Sequence, residues 1–405
     1  MPFRTALSGL NAASADLRVT GNNIANASTT GFKQSRAEFA DVFAASSSGI
    51  SSTAIGTGVR LSGVTQQFGQ GNIDFTGNNL DLALNGQGFF VLSDAGSQVF
   101  SRAGAFQVNR DGFVVNPSGQ RLQAYPPSNA AGTSFSTGVL SDLQLDASEA
   151  PPRATTEVAA TLNLSANSAD VSAVPFDADD PETFNYTTSL TTYDSLGQAH
   201  TATLYFRNTG ALDWEARLAV DGQVVGGAQP LTFGADGTVI APTTGVSFGA
   251  HDPGNGAEPL DISFDFTAAT QFGSVSNVSA LRQDGFTTGR LSSIEISDTG
   301  VIQARFTNGQ STALGQVALA NFPNPQGLQQ FGNNAWGAAF GAGEVVLGSA
   351  GSGNFGAIQS GGLEGANVDL AAQLVSLITA QRNFQANAQV ISTADTVTQT
   401  IINLR

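Results

Sequence analysis

Hydrophobic positions recur along this chain with two different periods, and the change from one to the other divides it. Near the end, Leu370, Leu374, Leu377, Gln381, Phe384, Ala388 and Ile391 follow one another at alternating spacings of four and three. That is a heptad seam on an α-helix. A second seam, Val390, Ala394, Val397, Ile401 and Leu404, runs one residue out of phase. One residue is about 100° of helix rotation, so the apolar face is broad and drifts around the cylinder. Gly365 and then Asn367, as N-cap, mark the start, with Asp369 in the first turn at the positive end of the helix dipole. No Gly or Pro follows before Arg405. The predicted helix is about 55 Å long, too long for one small domain to cover. The other end of the chain answers it. Pro2 suits a first helical turn, and Phe3, Leu7, Leu10, Ser14, Leu17, Gly21 and Ile24 repeat the four-three alternation. This helix fades near Asn26, Thr29-Thr30-Gly31 breaks it, and it measures about 37 Å. The polar seam positions Ser14 and Gln381 and the unequal lengths favour packing among several chains over a closed pair within one.

Residues 32–70 are transitional. Phe32, Phe39, Val42 and Phe43 are apolar enough to dock, and Ser46 to Gly63 reads as extended chain or a long loop. From about Gly71 the period becomes two. Leu80 to Leu84 alternates, Asn85-Gly86 reads as a hairpin turn, and Phe89-Phe90-Val91-Leu92 reads as the returning strand. Further strands are predicted at 187–193, 201–207, 214–220, 260–266, 291–296, 301–306, 317–322 and 345–347, with turns at Asp111-Gly112, Asp221-Gly222, Asp236-Gly237 and Asn308-Gly309. The predicted fold is multidomain and mainly β with long terminal α-helices. Nested β domains of sandwich or barrel type are inserted between coiled-coil-like ends. The expected division is residues 1–26 and 367–405 as a terminal helical domain, with 27–70 and 360–366 as an extended connecting region. Residues 71–148 and 286–359 form an inner β domain, and 149–285 an inserted outer one.

Composition narrows the function. The chain has 405 residues, no Cys and a formal net charge of −16, which argues against nucleic acid and anionic membrane as partners. Residues 149–284 hold 17 acidic and 4 basic residues, a net of −13, so the inserted domain carries most of the charge. A solvated acidic surface of this kind resists aggregation. No apolar run approaches the ~18 residues of a membrane span, and no cleavable signal peptide is visible. Without Cys there is no disulfide, thiolate metal site or thiol nucleophile. Gly351-Ser352-Gly353-Asn354-Phe355-Gly356 fits a dinucleotide-binding spacing, but Ser360-Gly361-Gly362 follows where a phosphate-binding helix is needed. Asp177, Asp179 and Asp180 lack the alternation of a calcium loop, and His200 and His251 have no neighbouring Cys or His. No cofactor, metal or catalytic residue is assigned.

A resemblance enters once both ends are read. Gly21-Asn22-Asn23-Ile24-Ala25-Asn26 followed by Thr30-Gly31-Phe32-Lys33 resembles the signature of bacterial flagellar rod and hook proteins. The tail from Ala380-Gln381-Arg382-Asn383-Phe384 to Ile401-Ile402-Asn403-Leu404-Arg405 is similar to the ending of that family's hook proteins, as is the central Tyr193-Asp194-Ser195-Leu196-Gly197. The resemblance implies a structural, non-enzymatic subunit that self-assembles into the hook, a flexible curved tube passing torque from motor to filament. Phe3, Leu7, Leu10, Leu17, Ile24, Leu370, Leu374, Leu377, Phe384, Ile391, Val397 and Ile401 would then be subunit-interface positions. Phe39 and Phe43, spaced F-x-x-x-F, resemble the family's export-recognition motif, and also read as a packed aromatic pair. The implied partners are many copies of the same chain, the distal rod, the hook cap, the hook-filament junction proteins and the type III export gate. The implied place is the hook, outside the cell, reached without cleavage. A distal rod or hook-junction component is the alternative within the family. A surface β adhesin with helical oligomerisation ends, or an enzyme with an unrecognised triad, is the alternative outside it. Because little within one subunit covers the long helices, they are expected to order on assembly.

Overall fold

Helix α1 (Pro2–Ala25) and helix α2 (Leu370–Asn403) flank described residues that are mainly β-strands, with three short 3-10 turns. The structure, a computed structural model, describes residues 2–42, 56–129, 132–145 and 149–403. The chain divides into two compact units, one of Met1–Asp146, Ser293–Ala304 and Ser311–Arg405, the other of Ala147–Ser292 and Arg305–Gln310.

In the first unit the run Phe89-Phe90-Val91-Leu92 is buried throughout because its strand, Phe89–Asp94, has core on both faces. Phe90 and Leu92 join Leu82, Leu84, Phe106, Leu122, Val317 and Leu319 on one side. Phe89 and Val91 join Phe100, Tyr125, Phe322 and Trp336 on the other. Such burial explains a continuous apolar run in place of strict alternation. The strand pairs antiparallel with Ser97–Ser101, which continues to Ala335–Gly337, and with Arg121–Tyr125 and Ser311–Asn321. Asn85-Gly86 does not close a hairpin. Leu82–Asn85 pairs with Ala357–Ser360 from the far end of the chain, and Phe89–Asp94 instead forms its hairpin with Ser97–Ser101 through Ala95-Gly96, both at positive φ. The glycine run 351–356 is the turn ahead of Ala357–Ser360, and the next strand, Gly362–Glu364, pairs with Ile73–Phe75. No helix N-terminus follows it.

The stretch expected to be extended contains a hairpin. Strands β1 (Ser35–Val42) and β2 (Gly58–Gln66) pair antiparallel, with a bulge at Glu38/Phe39. Its partner is the base of the helix pair. Asn23 of α1 is buried, its Oδ1 accepts from the Ser35 amide (2.9 Å) and its Nδ2 donates to the Ser35 carbonyl (2.8 Å). Asn367 is not the cap of α2. Its Oδ1 accepts from the Gln34 amide and its Nδ2 donates to the carbonyls of Gln67 and Gly69. The cap is Asp369, whose Oδ1 accepts from the amides of Ala371 (2.9 Å) and Ala372 (3.2 Å).

The second unit is a β-sandwich. One sheet is an antiparallel meander through Tyr186–Tyr193, Ala199–Asn208, Asp213–Val220, Gln223–Phe233 and Val239–Ala241. The other centres on Glu157–Ser165, with Ser263–Asp265 and Thr270–Phe272 parallel to it and Asn277–Gln283 antiparallel. Val158, Ala160, Leu162 and Leu164 face Leu204, Phe206, Trp214 and Leu218 in one core.

Candidate functional site

The terminal helices pair antiparallel, and they do so through their small and polar residues. Asn23 Nδ2 donates to Gln373 Oε1 (3.1 Å) at one end, and a Cβ on Gly9 would overlap the Asn387 carboxamide nearer the other. On α1 the buried positions are Ala6, Ala13, Ala15, Thr20 and Asn23. On α2, among the described residues, Ala380 is buried, while Gln373, Leu377, Phe384, Asn387, Ile391 and Ala394 are half-buried at four-three spacings with it. Small side chains bring the backbones close but remove little apolar surface from water.

The large apolar side chains are left over. Phe3 and Leu7 are exposed, and Leu10, Leu17 and Ile24 are half-buried. Leu370, Leu374 and Val397 are exposed, as are Val375, Ile378, Val390 and Ile402, which the heptad reading did not include among the interface positions. Of the predicted seam positions on α2, Leu377, Phe384, Ile391 and Ala394 are half-buried along the face that carries Ala380. Near the free end, Phe3, Val390, Ala394 and Val397 line an apolar groove of about 440 Å³. The Ile401 side chain lies outside the described residues. Phe39 is exposed on β1, and Phe43 lies outside the described residues.

Below the helices three charges meet in the interior. Lys33 Nζ bonds Glu364 Oε1 (2.6 Å) and the Gly69 carbonyl (2.7 Å), and both side chains of the ion pair are fully buried. Arg102 adds Nη1 to Glu364 Oε2 (3.3 Å) and Nη2 to the Gly86 carbonyl (2.6 Å). The Gly71 amide also donates to Glu364 Oε1. Burial pushes the Lys33 ammonium below its ordinary value, against the pull of Glu364. The cluster ties the chain after α1 and the chain before α2 to the β core. The sole lysine was visible in the sequence; its partner, at the far end of the chain, was not.

In the sandwich, the sequence reading left His200 without a role. Its Nδ1 lies 2.7 Å from Asp221 Oδ2 and its Nε2 lies 3.2 Å from Asp194 Oδ2. Burial works to lower its pKa, but the hydrogen bonds it donates to the Asp221 and Asp194 carboxylates outweigh this and hold it above the ordinary value. With a carboxylate on each ring nitrogen, it has no free nitrogen to deprotonate a hydroxyl. It is a strut between two loops.

The site is thus a surface, two helices with unpartnered apolar faces on a β body whose cores are closed. Comparison with known proteins places it. The chain is 38% identical over 412 residues to the flagellar hook protein FlgE of Escherichia coli, covering 100% of both chains. This chain belongs to the flagellar hook protein family. Hook proteins of Salmonella typhimurium (37% identity, 100% of both chains) and Rhizobium meliloti (33%, 100% of this chain and 98% of that one) are also similar. Family models match in four pieces. They are the flagella basal body rod protein model at residues 3–33, the flagellar hook protein FlgE/F/G D1 domain at 83–167, the flagellar basal body protein FlaE D2 domain at 163–286, and the flagellar basal body rod FlgEFG C-terminal model at 359–404. The crystal structure of Helicobacter pylori flagellar hook protein FlgE2 has a similar fold, with a TM-score of 0.55 at 15% identity over 72% of this chain and 100% of that one. The chain is a structural subunit of the flagellar hook, and its place is the flagellum.

Proposed function

We propose that this chain polymerises through the uncovered apolar faces of α1 and α2 into the flexible curved tube of the hook, the joint that passes torque from motor to filament. The observation that carries this is the split of residues on the helices. Small residues are spent within the chain, and Leu374, Val375, Ile378, Val390 and Val397 are exposed. A contact repeated head to tail without closing a ring generates an open helical tube. In this reading the interface positions are Phe3, Leu7, Leu10, Leu17, Ile24, Leu370, Leu374, Leu377, Phe384, Ile391, Val397 and Ile401. Further partners are the distal rod, the hook cap, the hook-filament junction proteins and the type III export gate, for which Phe39 and Phe43 are the recognition pair. The subunit works outside the cell and reaches it without cleavage.

Electron microscopy of the purified chain under assembly conditions tests this. Short curved tubes are expected; particles that stay dispersed at every concentration and salt condition refute it. Hydrogen exchange on the unassembled chain tests the coupled ordering of the helices. Weak protection across Leu370 to Ile401 is expected, because the pair buries mainly small residues, and protection equal to that of the β cores refutes it.

A further inference from the structure

The terminal helices carry a half-buried carboxylate that has no partner among the described residues. Asp16 of α1 faces a cleft of about 410 Å³ shared with Thr20, Asn23, Gln373, Ser376 and Thr379. Among the described residues no ion pair or hydrogen bond engages it, and burial alone pushes its carboxyl up from the ordinary value. Arg36 stands on the rim of the same cleft, but its guanidinium pairs with Glu38 at 2.7 Å. A partly desolvated charge without a counter-charge is costly.

The complementary charge is present on the same helices and faces away. Arg382 is exposed and, among the described residues, takes part in no ion pair. It follows Leu374 and Ile378 at steps of four, so these residues form one stripe on the outer face of α2. The stripe lies level with Asp16. The contacts of Asn23 with Gln373 and of Gly9 with Asn387 put residue 16 opposite residue 380. If the Leu374 and Ile378 stripe beds against a second copy, Arg382 is carried in with it at the height of that copy's cleft.

We propose that Arg382 of one copy enters the cleft of the next and pairs with its Asp16, fixing the stagger between neighbouring helix pairs. The inference rests on the polymer reading above. An arginine suits the cleft because its planar fork can bond the carboxylate while the surrounding Thr, Asn and Gln groups accept its remaining N–H donors.

Charge reversal tests it on the full-length chain, with the critical concentration for tube formation as readout. Asp16→Arg and Arg382→Asp should each raise that concentration about tenfold or more, and the double variant should return to within about threefold of the parent. Arg382→Gln, at an exposed position, should also raise it without disturbing the fold, which circular dichroism checks. Single variants that assemble like the parent, or a double variant no better than the singles, overturn the pairing while leaving the polymer reading intact. Rescue of Asp16→Arg by Arg18→Asp in place of Arg382→Asp overturns it in favour of a contact through α1. A parent chain that never forms tubes overturns the polymer reading and this pairing with it.

Discussion

Leu374 and Ile378 separate assembly from folding. They are 50% and 48% exposed on the outer face of α2, away from the face that Leu377 and Phe384 share with Ala380. Burying a whole Leu or Ile side chain is worth about 1.5–3 kcal/mol. About half of each side chain is still uncovered, so the pair offers about 2 kcal/mol to a neighbouring copy. Adding one subunit to a tube end is a binding step, and a loss of about 2 kcal/mol raises its dissociation constant about 30-fold. The double variant Leu374→Ala, Ile378→Ala should therefore shift the critical concentration by roughly that factor. Alanine keeps the helix propensity high, so the helix itself is not at issue. Sedimentation across a concentration series measures the shift, and a thermal melt of the β units provides the control. An unchanged critical concentration would refute the assignment of this stripe to the interface. A lower melting temperature would show that the stripe is committed within the chain after all.

The buried charge cluster predicts an order of effects. Glu364→Gln leaves Lys33 and Arg102 buried without a counter-charge and should cost about 3–5 kcal/mol in urea unfolding, whereas Lys33→Met keeps the neutral Arg102–Glu364 pair and should cost less. Equal losses would mean that the charges do not act together. Gly31→Ala should destabilise the first unit by more than the ~1–2 kcal/mol of left-handed strain, because Gly31 sits at φ +68° and a Cβ there would lie 2.5 Å from the Ala103 amide nitrogen. A denaturation midpoint equal to the parent's would refute that geometry. His200, raised in the folded state, contributes stability that is complete below its unfolded pKa of about 6.5 and lost as pH rises through the folded value. Asp194 and Asp221 are lowered; burial opposes this, but hydrogen bonds, to Asn255, Gln198 and His200 for Asp194 and to His200 and Thr201 for Asp221, prevail. Their contribution is present above the usual carboxylate pKa and lost as pH falls through the folded one. The sandwich should melt highest between these limits, and His200→Gln should flatten the alkaline decline; a parallel decline in both proteins would rule out His200 as its source.

What the sequence made legible was whatever depends on neighbours along the chain. The two helices follow from four-three spacing uninterrupted by Pro, and the strand at Phe89–Asp94 from a short apolar run. Remote partners defeated the reading elsewhere. Asn367 and Asp369 are both good N-cap types two residues apart. Asn367 loses the role because segments near Gln34 and Gln67 claim its side chain. Asn85-Gly86 is a strong hairpin signal, yet a strand from Ala357–Ser360 takes the pairing. The hairpin turn that does form next to it, Ala95-Gly96 between Phe89–Asp94 and Ser97–Ser101, lacks the Asn or Asp that advertises a left-handed first position.

The helices show the same limit more instructively. A heptad search weights large apolar residues, so it selects Phe3, Leu7 and Leu10 as the seam of α1. The face buried within the chain is instead Ala6, Ala13, Thr20 and Asn23, also on a heptad spacing but small and polar. Both seams are written in the same 24 residues. Size tells them apart only once it is clear which neighbour each one meets. A chain that paired its helices through the large residues would be a more stable monomer with nothing left to offer a neighbour. Pairing largely through the small ones gives a weak hairpin, oriented by hydrogen bonds such as Asn23 to Gln373, that keeps outward residues such as Leu374 and Ile378 for the next copy. The weakness of the intrachain contact is therefore part of how the helices can serve assembly.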